Sequence, residues 1–123
     1  MRTSLSLSII GLLIFGLPAL AAGKKRPSDE ERGQELYDRH CLSCHGAKAA
    51  GNGPLASSMV TPIPSLEGKY SMDDVNRLVP VVLVGQGRMP GFEATFDRYD
   101  ARRVLRHLVR ISQPSPKPEE PTP

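Results

Sequence analysis

The chain has 123 residues with a formal charge of +3; 39% of them are hydrophobic, only 5% are aromatic, and none is Trp. This length holds one small domain with targeting and tail segments, which excludes a multidomain enzyme. The slight excess of basic residues makes nucleic-acid binding a poor hypothesis. Beyond the N-terminal segment, five aromatic residues remain: Tyr37, Tyr70, Phe92, Phe96 and Tyr99. So few large side chains suggest that something else fills part of the core.

The first 22 residues have the layout of an export signal. Arg2 supplies an early positive charge, Leu5–Leu17 is apolar, and Ala19-Leu20-Ala21 offers the small residues that signal peptidase cleaves after. The alternative is an uncleaved membrane anchor, although a proline and two serines weaken it. No Cys follows the apolar stretch, which excludes a lipoprotein anchor. We expect residues 1–22 to be a signal peptide and the chain to be exported to a bacterial periplasm, or anchored there if the signal is retained.

Composition divides the rest of the chain into three parts. Residues 23–28 form a short basic leader, and residues 29–112 carry the helical patterns. Residues 113–123 contain five prolines and no other apolar side chain, which predicts an extended or disordered tail. We therefore expect a single folded domain over residues 29–112.

Two capping-box patterns predict where helices begin. Ser28 is followed three residues later by Glu31, and Ser71 is followed by Asp74 in the same way. The first pattern predicts a helix that runs to about Arg39. The second predicts a helix that starts directly after Ser71.

This second helix should be short. It places Val75, Leu78 and Val79 on one face, and Pro80 should end it because proline lacks the amide donor and clashes with the preceding turn. A new short helix should then cover Val81–Val84.

The last helix should begin near Asp97 and end near Ile111 or Ser112. Four apolar residues recur along it at helical spacing: Ala101, Val104, Leu105 and Leu108. Few strand signals accompany these helices.

The motif Cys41-Leu42-Ser43-Cys44-His45 carries the chemistry, and three interpretations compete. A zinc site needs four ligands, and this motif supplies three unless His40 or His107 contributes. A redox disulfide of the C-x-x-C type follows a strand, whereas a helix precedes this motif. In covalent haem attachment both thiols form thioethers and the following histidine binds the iron.

Haem attachment explains the most features. It fits an export signal, because an unmodified pair of thiols tends to oxidise outside the cytoplasm. A porphyrin would also supply the apolar mass that the aromatic residues do not. The Gly- and Pro-rich loop over residues 46–68 is long enough to require a function, and it can wrap the ring edge.

The chain resembles the class I cytochrome c family over about residues 29–112. The residues that carry the resemblance are Gly33 and Tyr37 in the first helix, Cys41–Gly46, Gly51–Pro54, Gly87–Phe92, and the closing helix Asp97–Ile111. The resemblance implies an all-α cytochrome c fold, with three to five helices around one covalently attached haem c. It also implies that the first and last helices cross, with Gly33 and Tyr37 against the face of Leu105 and Leu108.

The resemblance also assigns the site. Cys41 and Cys44 would form the haem thioethers, His45 would be the proximal iron ligand, and Met89 the distal one. The carbonyl of Pro54 would accept a hydrogen bond from His45, unless this proline only makes a turn.

Other residues near the site are secondary candidates. Met59 is the alternative to Met89 as distal ligand, whereas Met72 at the start of a capped helix is expected to serve packing. Lys69, Tyr70 and Arg88 are candidates to contact the haem propionates.

The expected function is single-electron transfer rather than catalysis. With both axial positions filled, the iron changes oxidation state without ligand exchange, so the partners are redox donor and acceptor proteins. No nucleic acid is expected, nor stable membrane insertion once the signal is cleaved, and the chain would be a monomer or a complex subunit. The alternatives are a haem subunit of a periplasmic dehydrogenase or reductase, and a haem sensor or peroxidase with an open iron position.

Overall fold

A computed structural model describes residues 25–114 of the chain. Within this range it contains four α-helices and no strand: α1 (Asp29–His40), α2 (Leu42–His45), α3 (Val75–Val84) and α4 (Arg98–Ile111). Two short 3-10 turns, Ala56–Ser58 and Met72–Asp74, lie between α2 and α3. The predicted all-α class is confirmed. The predicted signal peptide over residues 1–22 and the tail beyond residue 114 lie outside the described residues.

The predicted helix starts are confirmed by their hydrogen bonds. The Ser28 hydroxyl accepts a bond from the amide of Glu31 at 3.2 Å, and the Glu31 carboxylate accepts one from the amide of Ser28 at 2.7 Å. Ser71 and Asp74 form the second box, although it begins a 3-10 turn that leads into α3. The carboxylate of Asp97 accepts two amide bonds at the start of α4, each 2.7 Å long.

The prediction that Pro80 ends a helix is wrong. Helix α3 continues from Val75 to Val84 with Pro80 inside it, and Val75, Leu78 and Val82 are its buried residues. Because proline has no amide hydrogen, Pro80 cannot donate to the carbonyl of Asn76 four residues earlier. Both residues are exposed. Water can hydrate that carbonyl there, so the burial of the opposite face outweighs the missing hydrogen bond.

Helices α1 and α4 cross at Gly33. A β-carbon at Gly33 would overlap the backbone carbonyl of Arg103, so only glycine allows this close approach. Further along α1, the rings of Tyr37 and His107 pack with their centres 5.4 Å apart. Three ion pairs join the two helices: Arg103 with Asp29 at 2.7 Å, Arg32 with Asp100 at 3.6 Å, and Arg110 with Glu30.

At the crossing, Gly33 faces the backbone of Arg103 and the ring of Tyr37 packs on His107. Tyr37 also lines a cavity together with Leu105 and Leu108. Positions 103 and 107 are one helical turn apart, so they share a face that differs from the one of the two leucines. His107 is accordingly half-buried.

Between residues 25 and 114, no helix is long and apolar enough to cross a membrane.

Candidate functional site

The main feature inside the fold is an apolar cavity of about 620 Å³. It lies between the helices and two loops that contribute residues 59–66 and 86–92. Pockets for cofactors and other small molecules typically measure roughly 300–1,000 Å³ and are lined mainly by apolar side chains. The cavity therefore has the size and character of a site for an apolar group.

The C-x-x-C-H motif lies on the wall of this cavity. Helix α1 ends at His40, and the amide of Cys41 still bonds the Tyr37 carbonyl at 2.8 Å. The chain then turns into the four-residue α2, in which the amide of His45 bonds the Cys41 carbonyl at 2.9 Å. As a result, both thiols and the imidazole line the same cavity. Both cysteines are free in this structure.

A buried hydrogen bond fixes the chain just after the motif. The Tyr37 hydroxyl donates to the carbonyl of Gly46 at 2.7 Å. Tyr37 is only 1% exposed, and burial raises the pKa of its phenol, which stays protonated and able to donate. Helix α1 thereby holds both ends of the motif, through Cys41 at one end and Gly46 at the other.

Burial favours the uncharged forms of Cys41 and His45. It raises the pKa of the Cys41 thiol to about 12, with a smaller contribution from the neighbouring Cys44, and it lowers the pKa of His45. Disulfide oxidoreductases depend on a cysteine whose pKa is lowered, whereas the pKa of Cys41 is raised. A neutral imidazole, by contrast, is the form that binds a metal.

His45 leaves one nitrogen without a partner. Its Nδ1 atom is buried, and within residues 25–114 it makes no hydrogen bond. The predicted bond to the carbonyl of Pro54 is therefore not formed in this geometry and stays a prediction. Pro54 is exposed and does not line the cavity, but the flanking amides of Gly53 and Leu55 bond carbonyls of α2 at 3.2 and 2.8 Å.

Met89 reaches the cavity from a tight loop. The loop begins at Gly85, whose φ of 87° is in the left-handed region, and a β-carbon there would lie 2.6 Å from the Met89 carbonyl. Gln86 and Met89 exchange two backbone hydrogen bonds of 3.1 and 3.0 Å. The side chain of Met89 is half-buried and contributes to the cavity wall.

The other predicted residues divide into two groups. Met59, Tyr70 and Arg88 line the cavity, whereas Met72 and Lys69 do not, and Met72 is 48% exposed. The structure thus brings two methionines, Met89 and Met59, to the same cavity.

Part of the cavity wall was not predicted from the sequence. Leu78, Val81 and Val82 of α3 line the cavity, as does His40 at the end of α1. The two valines follow Pro80, where a helix break was predicted. The apolar face of α3 was therefore expected to end before them. The periodicity of residues 75, 78 and 82 was the available signal.

These side chains fit a covalently attached haem better than the alternatives. No three His, Cys, Asp or Glu residues between positions 25 and 114 are placed to hold one metal ion, which leaves a zinc site without its ligand set. Two thiols three residues apart, an adjacent neutral imidazole and a methionine instead line one apolar cavity. This is the donor set for two thioethers and for His and Met coordination of iron.

Two comparisons with known proteins agree with this donor set. Residues 28–108 match a family model described as cytochrome C oxidase, cbb3-type, subunit III. The chain is also similar to cytochrome c-551 of Bacillus subtilis (strain 168), with 28% identity over 102 residues that cover 73% of this chain and 82% of that protein.

Proposed function

The chain belongs to the c-type cytochrome family that this family model describes, whose members bind covalently attached haem c, and from this premise we propose that it is an exported electron carrier. It would move single electrons between donor and acceptor proteins through a haem with His and Met ligands. The observation that carries the proposal is that Cys41, Cys44, His45 and Met89 line one apolar cavity.

The haem supplies an iron that changes its oxidation state by one electron. The chain would determine how that iron is held. Cys41 and Cys44 would hold the group through two thioethers, each formed by addition of S–H across a vinyl group, with sulfur bound to one carbon and hydrogen to the other. His45 and Met89 would be the iron ligands, and soft methionine sulfur favours reduced iron and raises the potential.

The apolar wall would exclude water from the iron. Leu78, Val82 and Leu105 are buried and contribute to it. A low-polarity surrounding disfavours a net charge, which again favours the reduced state. Because the Met89 loop is tightly hydrogen-bonded, we expect little rearrangement when the electron moves.

The test begins with the exported protein. We expect the pyridine haemochrome assay and the intact mass to show one haem bound through two thioethers. A colourless protein with free or mutually bonded thiols would contradict the proposal.

Two matched variants then test the distal ligand. Met89→Ala should remove the sulfur-to-iron charge-transfer band at the red end of the oxidised spectrum, and the reduced protein should then bind carbon monoxide. Met59→Ala, which changes the other cavity methionine, should retain the band. If the band disappears in Met59→Ala alone, Met59 is the ligand.

A second candidate function is a haem-bearing subunit of a larger redox complex. The description of the matching family as subunit III of a cytochrome oxidase favours it. Purification from solubilised membranes without high salt distinguishes the two functions. A carrier should elute at its own mass, whereas a subunit should elute with its partner chains.

A further inference from the structure

Three rings form a cluster beside the site. His40 meets Phe96 edge-on, with ring centres 5.1 Å apart and an interplanar angle of 85°, and it meets Phe92 at 5.9 Å and 69°. The two phenylalanine rings stack at 5.2 Å. Edge-to-face and offset-stacked arrangements are those in which such rings attract each other.

The cluster joins the two segments that carry the site. His40 is the last residue of α1 and directly precedes Cys41. Phe92 follows Met89 by three residues, and both His40 and Phe92 line the cavity. The His40 ring therefore connects the attachment motif to the end of the Met89 loop.

The other attachments of this loop lead to α3. The amide of Phe92 bonds the Val82 carbonyl at 3.1 Å, and the amide of Glu93 bonds the Leu83 carbonyl at 3.0 Å. The Gln86–Met89 pair is internal to the loop. The loop is thus held to α3 by backbone atoms and to α1 by the ring of His40.

We propose that His40 is a positioning residue, which holds the Met89 loop against the attachment motif and so keeps the Met89 sulfur on the iron. This inference rests on the proposed function, because it assumes that Met89 is the distal ligand. His40 acts through Phe92 and Phe96 and is not itself a ligand. Without the ring, the loop would keep its bonds to α3 but lose these ring contacts with the end of α1.

The test compares three variants of the haem-loaded protein. His40→Ala removes the ring, and His40→Phe keeps one. His107→Ala is the matched control, because it removes another half-buried histidine ring that packs on Tyr37 instead of on the loop. The readouts are the carbon monoxide affinity of the reduced protein, the sulfur-to-iron band, and amide hydrogen exchange at Phe92.

We expect His40→Ala to bind carbon monoxide about fivefold more tightly than the wild type, since it loses two ring contacts. Its Phe92 amide should exchange faster, and its band should be lost at a lower temperature. His40→Phe should stay within about twofold of the wild type. His107→Ala should lower the unfolding midpoint without changing carbon monoxide affinity.

Equal affinities in His40→Ala and the wild type would overturn the inference. An equal increase in carbon monoxide affinity in His107→Ala would also overturn it, because the increase would then result from lower stability of the whole protein. If His40→Ala does not load haem, Phe96→Leu tests the same cluster from a residue outside the cavity wall, and unchanged affinity there would overturn the inference. A wild type with haem but without the band would overturn both His40's role and Met89 ligation, whereas the outcomes above leave Met89 ligation intact.

Discussion

The crossing of α1 with α4 and the cavity beside it are built in different ways. At the crossing, atoms of the protein contact each other directly, with Gly33 against Arg103 and Tyr37 against His107. The cavity instead leaves about 620 Å³ between apolar walls. One region is stabilised by the chain itself, and the other depends on the group that it encloses.

This difference shows how a domain with few aromatic residues can fold. In a Leu→Ala series, destabilisation grew by about 24 cal/mol per Å³ of cavity, which for this volume gives an upper limit of about 15 kcal/mol. Water entering the open cavity reduces that cost, but the limit reaches the top of the roughly 5–15 kcal/mol by which native proteins are stable. The haem is therefore expected to be part of the core.

Removing the haem should have the largest effect and should separate the two regions. In the double variant Cys41→Ala and Cys44→Ala we expect no covalent haem and loss of cooperative unfolding, because the crossing alone buries too little surface. Circular dichroism during urea titration measures this. A haem-free protein with wild-type helicity and a sharp transition would contradict the role of haem as core.

The substitution Gly33→Ala tests the crossing directly. In an ordinary helix this change stabilises by about 1 kcal/mol, but here the new methyl group overlaps the Arg103 carbonyl. We expect a loss of about 1–3 kcal/mol in the free energy of unfolding. Gln34→Ala, at the adjacent exposed position of α1, is the control and should change little. A stabilised Gly33→Ala protein would show that the crossing is looser than described.

The substitution Tyr37→Phe tests the link between the two regions. It keeps the ring at the crossing but removes the hydroxyl that bonds Gly46, at an expected cost of about 1 kcal/mol. Urea unfolding measures the loss. Tyr99→Phe, at a position 58% exposed, should cost less than about 0.5 kcal/mol. Equal stability of the two variants would mean that the hydroxyl contributes nothing.

The smallest expected effect concerns the pH dependence of the crossing. Burial lowers the pKa of His107; Arg110 lowers it further, while Asp38 and Glu30 oppose the shift. The folded state thus favours the neutral ring, so its contribution to stability is complete above the unfolded pKa of about 6.5 and is lost as the pH falls below that value.

His107→Phe should remove this contribution, because phenylalanine keeps a ring at the crossing but cannot be protonated. Between pH 7.5 and pH 5.5, we expect the free energy of unfolding to fall less in the variant than in the wild type. Measuring both proteins at both pH values cancels the groups that they share. Identical slopes would show that His107 does not contribute to acid sensitivity.

Local hydrogen bonding made part of the fold predictable. Ser28 with Glu31, Ser71 with Asp74, and the Asp97 cap bond groups within three residues of themselves, so the sequence contains both partners. The motif residues and Met89 were also identified from their neighbours in sequence, and the cavity brings them together.

Features that depend on distant partners were not predictable in the same way. Pro80 stays helical because the face opposite to it is buried, which its neighbours alone do not reveal. His107 gains its partner from a helix that is 70 residues away. The contacts of His40 with Phe92 and Phe96 exist only once the loop has folded back, so the neighbours of His40 in sequence do not reveal them.

The crossing also imposes an order on events during synthesis. Gly33 lies before the cysteines and its contact at Arg103 lies near the end of the domain, so ribosomes complete the whole motif well before its packing partner exists. During that interval α1 has nothing to cross, and Cys41 lacks the walls that later leave it only 9% exposed. The chain crosses a membrane in the same N-to-C order, so in the proposed exported protein both sulfurs would be presented before α4 packs against α1.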